Sequence, residues 1–157
     1  MREAIGGALV LNIALIFIVL INGYLALSVQ YTKAFRSNHL IINYIEQYEG
    51  FNDEAQRLIR DDLMRIGYNL DVTINCDNML PRDAALRGRV IPGVGGRDNR
   101  VLYCVVQLPG PAHIPGTHIY RVTTFLDLNL PFIGEILSRT FRIEGETRLV
   151  FSGDLSD

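Results

Sequence analysis

The amino-terminal run from Ile5 to Val29 is the feature that most limits what this chain can fold into. It reads IGGALVLNIALIFIVLINGYLALSV and contains no charged side chain. A helix needs about 20 mostly apolar residues to cross a bilayer, so this run is long enough to span with some tilt. A signal peptide is the alternative, with a faint cleavage site at Ala26, Leu27 and Ser28, but its apolar region is only about 7–15 residues long. The length therefore predicts a retained membrane anchor.

The rest of the chain is small and nearly neutral. Of 157 residues, roughly 110 lie beyond the anchor and its flanks, enough for one modest core. The formal net charge is -2, so binding to nucleic acid has little electrostatic support. Lys33 and Arg36 follow the anchor, and a count of flanking positive charges weakly favours keeping the domain in the cytoplasm.

The two cysteines instead favour a domain outside the cytoplasm. Cys76 and Cys104 are the only cysteines, and each lies in an apolar, strand-like segment. An even pair in a small exported domain is typical of a disulfide, which needs an oxidising compartment. The alternative is two independent buried thiols, since free cysteine is often a core residue.

Helical periodicity continues past the membrane surface. Apolar residues recur at steps of three and four to Tyr48, with a polar gap at Asn38, and no proline occurs in residues 1–80. We predict one helix over about Arg2–Glu49, roughly 70 Å long, that Gly50 ends. A second helix should begin with Asp53 as its cap, with Gln56 in a capping box, and stop at Gly67. Its apolar face comprises Ala55, Leu58, Ile59, Leu63 and Ile66.

After Gly67 the period changes to two. The predicted strands are Tyr68–Cys76, Val101–Leu108, His118–Leu128 and Phe141–Phe151. In the last of these, the odd-numbered residues from Phe141 to Phe151 form the apolar face. Residues 77–100, rich in Gly, Pro and Arg, are expected to form a long loop. The expected fold class is α+β, with a long N-terminal transmembrane and amphipathic helix, a second short helix and an antiparallel sheet of about four strands.

Catalytic and metal-binding patterns are not found in the sequence. The three histidines are His39, His113 and His118, and with the cysteines they match no common zinc spacing. The glycines of Gly93–Gly96 lack the Gly-Lys-Ser/Thr continuation of a phosphate-binding loop, so a flexible turn is expected. We therefore expect no enzyme, no metal and no cofactor. A thiol oxidoreductase using the two cysteines is disfavoured because they are 28 residues apart and form no Cys-x-x-Cys motif.

The anchor carries polar and small residues that suit contacts between helices. Asn12 and Asn22 lie within the apolar run, where amides usually face a neighbouring helix. The alternative is an amide that a lone anchor tolerates. Glycines that allow close backbone approach are Gly6, Gly7 and Gly23. Tyr24 and Tyr31 suit the aromatic belt at the membrane interface.

The layout and the carboxyl-terminal sequence resemble those of TadE-like proteins, the small pilin-like components of tight-adherence pili. The resemblance rests on EAIGGALVLNIALIFIVLINGYLAL near the start and TTFLDLNLPFIGEILSRTFRIEGETRLVF near the end; residues 70–117 do not align. The second segment reads as a strand, Thr123–Leu128, then an "LPxxG" hook, and then a strand with Gly145 near its middle. The matching hook residues are Pro131, Phe132 and Gly134.

This resemblance implies a structural subunit of a bacterial surface filament that assembles through its apolar helix. The implied partners are further copies in a helical filament, other pilins, the membrane and the pilus assembly machinery. The implied domains are residues 1–50, the anchor and extended helix that includes Phe35, and residues 51–157, an extracytoplasmic head. Before assembly the chain would span the cell membrane once with a cytoplasmic amino terminus; afterwards it would belong to an extracellular filament.

One residue departs from the pilin pattern. Processed type IV pilins carry a Glu five residues after a peptidase cut, where it resembles a partner for a neighbour's terminal amine. Glu3 is the only nearby acid, and no leader with a cut site precedes it in this sequence. The role carries over to Glu3 only as a hypothesis.

A second class of function is a single-pass membrane-anchored binding or sensor domain of the cell envelope. In that case the sheet face and the segment 77–100 would bind a ligand or an envelope protein. Such a domain should work on an unrelated anchor, whereas a pilin should not.

Overall fold

The computed structural model describes residues 2–68, 70, 74–79, 88–95, 100–126 and 142–151. In chain order the elements are α1 (Arg2–Gln47), α2 (Asp53–Ile66), a 3-10 helix (Asp77–Met79), β1 (Arg89–Gly95), β2 (Arg100–Pro109), β3 (Thr117–Phe125), β4 (Arg142–Glu146) and β5 (Val150–Phe151). The strands form one antiparallel sheet in the order β1-β2-β3-β4, and β5 also pairs with β3. The predicted α+β class is confirmed.

Helix α1 is uninterrupted over 46 residues, as predicted, because neither proline nor a capping residue stops it. At 1.5 Å per residue it is about 69 Å long. It ends where Glu49 and Gly50 take positive φ angles of 52° and 148°. The Gly50 amide then donates to the Ile45 carbonyl, which closes the helix end.

Helix α2 ends at Gly67 as predicted, but its predicted cap is wrong by one residue. Asn52, not Asp53, is the N-cap, and its side chain accepts a hydrogen bond from the Ala55 amide at 2.9 Å. Asn52 has the extended backbone that a cap requires, whereas Asp53 is already helical. Gly67 has the left-handed conformation of a helix terminus.

The first strand lies within the predicted loop. Arg89–Gly95 forms β1, although Pro92 and two glycines suggested irregular structure, because the segment pairs with β2 along its whole length. The interval Tyr68–Cys76 was predicted to be a strand, and its described residues are not in one. Both edges of β2 are occupied by β1 and β3, so the chain near Cys76 approaches β2 across a face of the sheet.

The predicted last strand is two strands with a change of register between them. Arg121 pairs with Glu146, but His118 pairs with Val150. A step of three residues along β3 therefore corresponds to a step of four residues from β4 to β5. An extra residue reverses the side-chain alternation. Val150 is therefore buried and Phe151 is 61% exposed, so the prediction that Phe151 shares the apolar face is wrong.

The core lies between the helices and one face of the sheet. The buried apolar residues come from the carboxyl half of α1, from α2 and from the central strands. Tyr68 ties the layers together, since its hydroxyl donates to the Phe125 carbonyl at 2.8 Å and accepts from the Phe125 amide at 2.9 Å. The other face of β2 is covered at Cys104 by Cys76, so this strand is buried on both sides.

Candidate functional site

The amino half of α1 is long and apolar enough to cross a membrane, and the described protein leaves it uncovered. Its large apolar side chains are about half to two-thirds exposed: for example, Leu11 is 62% and Ile18 is 55% exposed. Burying one such side chain contributes about 1.5–3 kcal/mol, so leaving the set in water would cost tens of kcal/mol. This surface therefore requires an apolar partner, and it is the candidate functional site.

The carboxyl half of α1 carries the head through a stripe of buried residues. These are Ala34, Ser37, Asn38, Ile41, Ile42 and Ile45. Asn38 is 2% exposed, and its amide donates to the carbonyls of Val122 at 3.0 Å and Ile143 at 3.2 Å. One side chain thus links α1 to two neighbouring strands. From the sequence, Asn38 was identified only as a polar interruption of the apolar pattern. A polar residue on an otherwise apolar helix face was the one indication of its role.

Gly145 permits this close contact. A Cβ at Gly145 would collide with Asn38 Oδ1 and lie 2.6 Å from Ile42 Cδ1. The small residue that the sequence indicated near the middle of the last strand therefore has a physical role. It lets β4 approach α1.

The two anchor amides are partly satisfied within their own helix. The Asn12 side chain donates to the Ala8 carbonyl at 3.0 Å, and Asn22 donates to the Ile18 carbonyl at 2.7 Å. An amide has two donors and one acceptor oxygen, so each retains the capacity to bond a neighbour. Both side chains are exposed, as contact with another helix requires.

The other predicted anchor residues also lie in α1. Within the described part, a Cβ at Gly7 or Gly23 would meet no atom within 4 Å beyond the local backbone. Tyr31 stacks on Phe35 with ring centroids 6.3 Å apart, and Phe35 contacts His39 edge-on at 4.4 Å. Tyr24 is 69% exposed. Gly6 and Glu3 are in α1, and the side chains of residues 1–6 lie outside the described part of the structure.

The cysteines form a disulfide between Cys76 and Cys104, with Cα atoms 5.7 Å apart. The open choice between a bridge and two free thiols is thereby resolved. Cys104 is fully buried at the centre of β2, opposite Pro92 of β1 and Thr123 of β3. The bridge fastens the segment that follows α2 to the middle of the sheet.

A cleft of about 400 Å³ lies on the side of α1 away from the sheet, between α1 and α2. It is lined by Phe35, Arg36, His39, Leu40, Asn43, Tyr44, Gln47 and Asp62. The Tyr44 hydroxyl donates to Asp62 at 2.6 Å, and this bond, with burial, raises the pKa of Tyr44. No sequence pattern indicates this cleft, because its residues come from two helices.

In the part of the chain that the structure describes, no group of three or more His, Cys, Asp or Glu side chains could hold a metal ion. The hook residues Pro131, Phe132 and Gly134 lie outside the described residues.

Comparison of the chain with protein-family models, with curated proteins and with solved structures finds no match.

Proposed function

We propose that this chain is a pilin-like structural subunit of a bacterial surface filament, of the TadE-like, tight-adherence kind. The observation that carries the proposal is a single helix that changes environment along its length. In its carboxyl half one face, which includes Ala34, Ile41 and Ile45, is buried in the head's core, whereas residues 7–26 have no cover from the described protein. A subunit of this shape can stay in lipid and later exchange lipid for the helices of other copies.

Cohesion in such a filament comes from apolar area. Each square ångström removed from water contributes about 25 cal/mol, and a helix of this length offers many large side chains. Lipid tails are as apolar as leucine, so packing and hydrogen bonds decide association within the membrane. Asn12 and Asn22 each keep a donor and an acceptor for such bonds, and a neighbouring helix can use those of the amide that faces it.

The disulfide supports an extracytoplasmic head. Bridges of this kind persist in oxidising compartments and are rare in the cytosol. With the head outside, the anchor crosses the membrane once and its amino terminus is cytoplasmic. The partners are further copies, other pilins and the machinery that lifts subunits from the membrane.

An anchor exchange tests the proposal. Ile5–Val29 is replaced by an unrelated spanning sequence of equal length, and cells that make the filament are examined by electron microscopy and membrane fractionation. We expect the variant to insert and to form its disulfide but to yield no filaments. The control chain carries Leu149→Ser, an exposed head substitution that leaves the anchor intact. Filaments built from the exchanged chain would overturn the proposal.

The alternative is an anchored binding module. It is favoured by the cleft between α1 and α2, which places Arg36 and Asp62 beside aromatic rings. In that case filaments do not depend on this anchor, and the exchanged chain leaves them unchanged, so the same experiment distinguishes the two.

A further inference from the structure

The head covers one side of α1 and thereby determines which face of the anchor a second copy can reach. The buried residues Ala34, Ser37, Ile41 and Ile45 recur at steps of three and four, and they define a front face. When this face is continued toward the amino terminus at about 100° per residue, it passes through Ile16 and Gly23. Two parallel copies that met through their front faces would have to place both heads between their helices.

On the opposite, rear face the described side chains of the amino half are exposed, and at the level of the head this face borders the cleft between α1 and α2. At the level of the head, His39 and Asn43 on this side are exposed. In the anchor the same face carries apolar residues separated alternately by three and four positions: Leu11, Ala14, Ile18, Ile21 and Leu25. Residues at this spacing can form the seam of a left-handed helix pair, in which side chains of one helix fit between those of the other. The front face of the anchor has a similar spacing, so it is the position of the head that selects the rear face. Toward the carboxyl end of α1, the seam continues into the cleft between α1 and α2.

We propose that a second copy of this chain, parallel to the first, packs its α1 along this rear face in the membrane. The inference rests on the proposed self-assembly and names the surface that mediates it. A copy fits because it brings an equal seam to the same depth. Asn22 borders the seam, and an amide is self-complementary, since each copy supplies a donor and an acceptor.

Cysteine cross-linking tests the rear face directly. The two native cysteines are joined to each other, so an introduced cysteine is the single free thiol. Ile18→Cys and Leu25→Cys place it on the rear face, and Ile16→Cys and Gly23→Cys place it on the front face. Within each pair the residues differ by two positions, so depth in the membrane is matched. The full-length chains are oxidised in native membranes and separated without reductant.

We expect disulfide-linked dimers at Ile18→Cys and Leu25→Cys, several times more abundant than at the two front positions. Equal cross-linking at all four positions, or an excess at the front, overturns the rear-face proposal. If filaments still form in that case, self-assembly stands and only the face is wrong. If no position cross-links and no filaments form, the proposed function fails as well. If rear-face dimers form but filaments do not, the rear-face packing is supported and the proposed filament function is rejected.

Discussion

The two halves of α1 belong to one helix, yet burial and hydrophobicity run in opposite directions along it. The more apolar half is the exposed one, whereas the buried stripe of the other half includes Ala34, Ser37 and Asn38. In the carboxyl half, small and polar residues allow a sheet to approach and bond the helix. In the amino half, bulky side chains surround the helix because no element of the described head packs there. Hydropathy alone therefore identifies the surface that needs an external partner, and not the core.

The same substitution should act differently in the two halves, and this is the largest expected effect. Ile41→Ala removes a fully buried side chain, which should cost about 2–5 kcal/mol of unfolding free energy. Ile18→Ala, at a 55% exposed position, should leave the head's stability unchanged. Denaturant unfolding of the full chain in detergent, followed by tyrosine circular dichroism, measures both. Equal losses would mean that the anchor and the head share one core.

The two halves also differ in how they tolerate bulk at glycine. Gly145→Val should force β4 away from Asn38 and Ile42, at a cost of about 3 kcal/mol. Gly23→Ala introduces a Cβ that meets no described neighbour beyond the local backbone within 4 Å, and the head should unfold as in the native chain. The same unfolding measurement applies. A Gly145→Val protein of native stability would show that α1 does not need this close approach.

Asparagine provides a third, smaller contrast. Asn38→Ala removes one buried and one partly buried hydrogen bond to strand carbonyls, so we expect a loss of about 1–2 kcal/mol. Asn12→Ala removes a bond within the exposed half and should not alter head unfolding. Should Asn12→Ala destabilise the head as much as Asn38→Ala, the separation of the two halves fails.

The smallest effect appears at high pH. Burial raises the pKa of Tyr103 above the ordinary value of 10.0. Below pH 10 the ring is neutral in both the folded and the unfolded chain. Above it the unfolded chain ionises first, so stability falls as the pH rises. Tyr103→Phe removes that ionisation and should flatten the alkaline decline in unfolding free energy by about 1 kcal/mol near pH 10.5. The Ile18→Ala protein, which keeps every tyrosine, is the control and should decline as the native chain does.

Features set by local residue chemistry were predictable from the sequence. The uninterrupted α1 follows from the absence of proline, the end of α2 follows from Gly67, and the disulfide follows from a lone cysteine pair in apolar segments. Each depends on neighbours in the sequence or on a single pairing choice. The α+β class followed from the change of period after Gly67.

Features that depend on contacts between residues distant in sequence could not be predicted from the sequence. Strand β1 contains Pro92 and Gly93, which suggest a loop, and Gly93 is needed because the ring of Tyr103 packs directly against it. The break in the last strand depends on Thr147, which accepts a bond from the Tyr120 amide at 3.0 Å and donates its own amide to the Tyr120 carbonyl. The docking role of Asn38 required knowing which strands lie beside it. The filament, its partners and the single-span topology remain proposals.

Among the described strands, β1 is an edge of the sheet, and Pro92 lies at its centre. A proline offers no amide hydrogen, so a foreign strand cannot form a regular ladder there. When many heads crowd together at high local concentration, this position disfavours edge-to-edge β aggregation.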